Sequence, residues 1–197
     1  MSDWTLLASG QTYPPGTLYV VATPIGNVAD LSLRALHVLG LADAIACEDT
    51  RNTGQLLTRV GLQRPLVAVH EHNEREAAVR IVERLRAGER IAYVSDAGTP
   101  GISDPGARLV EAVRAAGLGV VPLPGPSAAV TALSVAGDML EAGEGRFTFV
   151  GFLPGKPKAR ADEIARLAAL DHAWVLYEAP HRIADTLAAL AAALPGT

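Results

Sequence analysis

The chain carries a single cysteine, Cys47, among 197 residues. One thiol cannot close an internal disulfide, so packing must hold the fold, and a reducing, cytoplasmic setting is expected. Aromatic residues are few, at 5% of the sequence. Positive charge is also scarce: 17 Lys and Arg stand against 21 Asp and Glu, a formal net charge of -4. Such a chain has no global attraction for nucleic acid, so any contact with it must come from a local basic patch. No apolar run in the sequence reaches the roughly 20 residues that a membrane-spanning helix needs. The opening stretch MSDWTLLASGQTYPPG has no basic region leading into an apolar one, so no secretory signal is expected. The patterns G-x-G-x-x-G, G-x-x-x-x-G-K-[ST] and G-x-S-x-G are missing. That argues against a dinucleotide-binding Rossmann domain, a P-loop enzyme and an α/β-hydrolase. His70 and His72 are close in sequence, but no Cys/His set has zinc spacing, and no metal is expected.

What is present is core-forming material, with 49% hydrophobic residues, enough for one large domain or two small ones. The runs TLYVVAT (17–23), DAIACE (43–48), PLVAVH (65–70), RIAYVSD (90–96) and GVVPLP (119–124) are short and continuously apolar. Such runs suit strands buried on both faces of a parallel sheet. Helical patterns lie between them. In NEREAAVRIVERLRAG (73–88), Asn73 and Glu76 are expected to form a capping box, Ala78, Ile81, Val82 and Leu85 share one face, and Gly88 stops the helix. Another helix is expected from Asp104 as N-cap, with Pro105 at the first helical position, to Gly117. A third follows Pro126. The polar, glycine-rich DMLEAGEG (138–145) breaks this rhythm, and a domain boundary is expected near 126–145. The expected organisation is a loose lead-in over 1–16, an N-terminal α/β domain over 17–125, and a partial C-terminal α/β domain over 126–197. RFTFVGFLP (146–154), a helix around 160–170, AWVLYEAP (173–180) and a helix over about 181–193 make up the last part, which is thin for an independent domain.

Every notable polar cluster follows an apolar run. In open parallel sheets, ligands bind outside the carboxyl ends of the strands. ATPIGN (22–27) is a Pro/Gly turn. IACEDTRNTG (45–54) places Glu48, Asp49 and Arg51 directly behind a core strand. SDAGTPGISDPG (95–106) has glycines that let a ligand approach the backbone closely. LPGPSAAV (123–130) puts Ser127 near a helix start, where it either faces a ligand or simply punctuates the helix. GFLPGKPKAR (151–160) holds the densest basic stretch, Lys156, Lys158 and Arg160, and YEAPHR (177–182) gathers Tyr177, Glu178, His181 and Arg182.

In order along the chain, TPIGN, EDTRNT, HEHNE, SDAGTPGISDPG, PGPSA, GFLP and YEAPHR resemble the bacterial small-subunit rRNA cytidine 2'-O-methyltransferases of the tetrapyrrole methylase superfamily. The resemblance runs from about residue 16 to the end. It implies two α/β domains, with a mainly parallel sheet in the N-terminal one and an incomplete C-terminal one. It implies S-adenosylmethionine (SAM) held in the cleft between them, a homodimer, and 16S rRNA within the 30S subunit as substrate, at a cytidine of the decoding region. By motif, the cofactor side would use Pro24, Asp96, Gly98, Ile102, Ser103, Ser127, Ala128, Leu153 and Tyr177. Ala179 stands where the family usually has serine, which weakens a polar role there. Members of the family continue past the point that corresponds to Thr197, with further strands and part of the adenine pocket. The chain is therefore expected to be C-terminally truncated and not to bind SAM fully or turn over on its own.

EDTRNT and HEHNE are what look particular to the RNA-modifying branch. The expected nucleotide wall is Glu48, Asp49 and Arg51 as the catalytic group, with His72, Asn73 and Glu74 beside them. Arg51 would clamp a phosphate, and Glu48 or Asp49 would accept the 2'-hydroxyl proton. The competing reading is a structural Asp–Arg pair that caps the next helix. RNA contact is expected from Arg51, Arg59, Arg64, Lys156, Lys158, Arg160 and Arg182. The shared SAM loops would also fit a tetrapyrrole or diphthine methyltransferase, against which EDTRNT argues, or a non-catalytic SAM-fold module.

Overall fold

The computed structural model describes residues 5–70 and 72–194. Met1–Trp4 at the head of the lead-in, Glu71 of HEHNE and the terminal 195–197 lie outside them. The chain divides into two compact units, Met1–Ala128 and Ala129–Thr197.

The first unit is built on five strands, β1 (Thr17–Val21), β2 (Ala44–Cys47), β3 (Leu66–Ala68), β4 (Ile91–Val94) and β5 (Gly119–Leu123). All pair in parallel, in the order β3-β2-β4-β1-β5. Each of the five apolar runs is thus a strand. β2 and β4 are buried at every position, and β1 nearly so, whereas the edge strands β3 and β5 are half-exposed. Pro122 sits in β5, where a missing N–H costs no interior ladder bond.

Helices cover both faces. α1 (Thr5–Ser9), α2 (Leu33–Leu41) and α3 (Thr50–Arg59) precede α4 (Glu74–Arg86) and α5 (Ala107–Ala115). Ala35, Val38 and Leu39 of α2 and Leu57 of α3 pack on Tyr19, Val21, Ile45, Cys47 and Val94. On the opposite face, Ala78, Ile81 and Leu85 of α4 and Leu109 and Val113 of α5 pack on Leu18, Ala46, Ile91 and Tyr93. This is a doubly wound sheet whose strand carboxyl ends open at one edge. The lead-in contains α1, and Tyr13 joins the first core, its hydroxyl donating to the Ala8 carbonyl.

Two expected helix starts differ. The Asn73–Glu76 capping box does not form: the Asn73 amide accepts from His70 N–H and donates to the Ala68 carbonyl, which pins the β3–α4 loop. Asp104 is not an N-cap either. α5 starts at Ala107 with Gly106 as its cap residue, at a φ of 125°. The capping oxygen comes from another helix: Glu74 Oε1 accepts from the amides of Gly106 (2.9 Å), Arg108 (3.0 Å) and Leu109 (3.2 Å).

The second unit has α6 (Ala128–Leu133) at its boundary, α7 (Gly137–Ala142), β6 (Phe147–Phe152), α8 (Pro157–Ala168), β7 (Ala173–Tyr177) and α9 (Ile183–Ala193). β6 and β7 pair in parallel, with a bulge between Phe149 and Gly151. Leu153, Ile164 and Leu167 form its small core. The DMLEAGEG stretch, which breaks the sequence rhythm, carries most of α7.

Candidate functional site

Four loops of the first unit meet at the carboxyl ends of β1, β2, β4 and β5, and hydrogen bonds tie them to one another. Thr23, after β1, exchanges backbone hydrogen bonds with Gly98, after β4, at 2.9 and 3.0 Å. The Thr23 hydroxyl donates to the Ser95 carbonyl at 3.0 Å. Thr99 donates to the carbonyl of Pro126, after β5, at 2.9 Å. Asp96 joins the β4 loop to β2 and α3: its Oδ1 accepts from the Asp49 amide at 3.2 Å, and its Oδ2 from Asn52 Nδ2 at 2.7 Å. Two glycines are needed here. Gly98 has a φ of 82°, and a Cβ on Gly125 would lie 2.7 Å from that of Ala22, too close for any side chain.

Glu48 and Asp49 follow β2 directly, and their environments separate them. Asp49 is the N-cap of α3, its Oδ1 accepting from the Arg51 amide at 2.8 Å. The same carboxylate is gripped by the Arg51 side chain, with Nε on Oδ1 at 3.2 Å and Nη2 on Oδ2 at 2.7 Å. These bonds pull its carboxyl down to about 2. Asp49 is therefore a fixed anion and a weak proton acceptor, as the cap-and-pair reading expects. Glu48 is half-buried and makes no hydrogen bond or ion pair among the described residues. Burial pushes its carboxyl above the ordinary range, and the charges of Asp96, Asp104 and Asp49 add to the effect. Burial likewise raises Asp104, opposed by the Ser95 hydroxyl. An unpartnered carboxylate with a raised affinity for protons is what proton abstraction requires.

The other first-unit candidates divide. Pro24 and Asp96 line a cavity of about 230 Å³ together with Gly26, Val28, Asn52 and Leu56. Ile102 is 53% exposed, Ser103 is exposed, and Ser127 and Ala128 open α6. His72 is exposed, with its ring against that of His70. Asn73 and Glu74 are committed to structure, as described above. Glu74 is 6% exposed and faces the α5 amides rather than solvent.

In the second unit, Leu153 is 2% exposed and belongs to the core. Arg182 is also spoken for: it donates to the Leu153 carbonyl at 2.7 Å and pairs with Glu178 at 3.3 Å. The Tyr177 hydroxyl accepts from the Ala129 amide at 3.3 Å, and its ring contacts Phe149 and Phe152. Lys156 and Lys158 are exposed at the start of α8, with Arg160 one turn in and partly buried. Cations at the positive end of a helix dipole do nothing for its stability. Sequence reading missed Asn52: it lies within EDTRNT, but its partner Asp96 is 44 residues away.

The tetrapyrrole (corrin/porphyrin) methylase family model matches residues 17–197. The chain belongs to that family. As a tetrapyrrole methylase-family chain, it is 56% identical over 177 residues to the "Ribosomal RNA small subunit methyltransferase I" of Xylella fastidiosa (strain Temecula1), which covers 90% of this chain and 63% of that protein. It is 51% identical over 179 residues to the protein of the same name from Haemophilus influenzae, covering 91% and 62%. It thus spans less than two thirds of these relatives' length. Among solved structures, a cobalt precorrin-4 methyltransferase superposes with a TM-score of 0.67 at 15% identity, covering 93% of this chain and 78% of that one. That likeness supports the fold: an α/β chain with a mostly parallel central sheet. Membership in a family of methylases implies a methyl donor.

Proposed function

We propose that the chain is the core of a SAM-dependent methyltransferase that methylates a ribose 2'-oxygen, at a cytidine of the 16S rRNA decoding region within the 30S subunit. The observation that carries the proposal is Glu48, half-buried and unpartnered at the loop cluster of a chain 56% identical to a small-subunit rRNA methyltransferase. On the same reading it works in the cytoplasm and as a homodimer. No described helix is long and apolar enough to cross a membrane.

The loop cluster fits SAM in kind. It offers the exposed apolar side chain of Ile102, backbone freed of side chains at Gly98 and Gly125, and the carboxylate of Asp96 held at both oxygens. Pro24, Ser103, Ser127 and Ala128 would complete the first unit's contribution, and Leu153 and Tyr177 are assigned to the cofactor by motif. Bound SAM supplies an activated methyl group. The chain's own residues must then orient the ribose and remove its proton. Glu48 accepts that proton at a carboxylate oxygen as the 2'-oxygen forms its new bond. Asp49 holds Arg51 so that the guanidinium can meet a phosphate. Alignment of reactants can remove roughly 7–11 kcal/mol of barrier, and the base adds on the order of 10²–10⁴-fold.

The test is methyl transfer from SAM to small ribosomal subunits by a polypeptide spanning the relatives' full length, with SAM affinity measured separately by calorimetry. Glu48→Gln should bind SAM normally and transfer on the order of 10²–10⁴-fold more slowly. Transfer to a tetrapyrrole but not to ribosomal subunits would reject the substrate assignment.

A further inference from the structure

The outer face of α3 holds a feature that the stability of the fold does not require. Gly54 lies in the middle of this helix, with helical backbone and no positive φ. A Cβ built there would meet only Leu66 Cδ1, at 3.8 Å, an ordinary contact. Alanine would therefore fit, and it is the better helix former. Gly54 instead floors a shallow depression bordered by Thr50, Arg51, Gln55, Thr58 and Arg59. Residues 51, 55 and 59 follow one another at i, i+4 and i+8, so they form one ridge, with the two arginines about 12 Å apart along the axis. No carboxylate among the described residues borders the depression. Arg59 makes no hydrogen bond or ion pair among the described residues. Asp49 takes Nε and Nη2 of Arg51, which leaves Nη1 without a partner among the described residues. On the opposite flank of the Gln55–Arg59 ridge lies the cavity lined by Pro24, Asn52 and Asp96.

We propose that this face of α3 is a docking surface for the sugar–phosphate backbone of single-stranded RNA, with Gly54 allowing close approach and Arg51 and Arg59 meeting phosphates. The inference rests on the rRNA reading and deepens it, since it names the element that holds the substrate. Gln55 and Arg59 border both this depression and the cavity that Pro24 and Asp96 line, so a strand seated there adjoins the loop cluster. The hydroxyl of Thr50 and the amide of Gln55 supply neutral donors suited to phosphate and sugar oxygens, whereas the Thr58 hydroxyl donates to the Gly54 carbonyl at 2.9 Å and is left as an acceptor.

The experiment is fluorescence anisotropy of a short labelled single-stranded RNA with the 197-residue chain, as a function of salt, with SAM calorimetry in parallel. Arg59→Ala should weaken binding several-fold and reduce the log–log salt slope by about 1. Gly54→Gln should weaken it by steric exclusion, whereas Gly54→Ala should raise the thermal midpoint and bind better than Gly54→Gln. Arg59 is exposed, so its truncation leaves the core intact, and the thermal midpoint checks this. RNA binding by Arg59→Ala and Gly54→Gln with unchanged affinity and slope overturns the proposal. So does an absence of RNA binding by the unmodified chain at low salt, because all of α3 is present. RNA binding without SAM binding by the polypeptide that spans the relatives' full length would instead leave the docking surface standing and remove the methyltransferase reading.

Discussion

Glu48 and Asp49 are adjacent in sequence and opposite in chemistry. Asp49 is stabilised as an anion by Arg51, with its carboxyl lowered to about 2 from 3.8. A depressed acid contributes stability above its unfolded value, and that stability is lost as pH falls through the folded value. Asp49→Asn should therefore flatten the decline of the thermal midpoint between about pH 4 and 2, while still capping α3. Glu48 runs the other way. Its carboxyl is raised, chiefly by burial, so its ionised form opposes folding once pH rises through the folded value. Glu48→Gln should raise the thermal midpoint at neutral pH even as it removes methyl transfer, a trade typical of catalytic positions. On the proposed reading, transfer by the unmodified full-span protein should fall as pH drops through a value above that of an ordinary glutamate. The sequence of EDTRNT shows that charge gathers behind a strand. It does not show which acid Arg51 would take, because that depends on where the α3 amides point.

At the scale of elements, all seven strands among the described residues fall within the apolar runs read from sequence, since continuous hydrophobicity bounded by turns reports burial directly. Helix starts were less legible. The Asp104-Pro105 pair is a sound N-terminal signal, yet α5 begins two residues past Pro105 and takes its cap from Glu74, 32 residues before Gly106. A cap supplied across the fold leaves no local pattern. Removing it by Glu74→Ala should cost about 2–3 kcal/mol, since three amides lose a charged acceptor, and chemical denaturation will measure that. Gly106→Ala should be harsher: its Cβ would overlap the Tyr93 ring, at a φ of 125°. Gly125→Ala tests a different element contact. It should part the β5 loop from Ala22 and weaken SAM affinity more than it lowers the thermal midpoint.

For the molecule as a whole, a net charge of -4 means that the proposed contact with RNA would depend on a few placed arginines and lysines. Binding should weaken steeply with salt, despite the acidic total. The order of motifs along the chain made the fold and the loop cluster legible. It left Asn52, the commitment of Glu74 and Arg182 to structure, and the open face of α3 to be found in three dimensions. The most direct test of the central claim is transfer of a labelled methyl group from SAM to small ribosomal subunits, comparing the unmodified full-span protein with Glu48→Gln. The account predicts label in a ribose 2'-O-methyl group of the rRNA for the unmodified protein, and a loss on the order of 10²-fold or more for the variant, with SAM affinity retained. Equal transfer by the two proteins would contradict it.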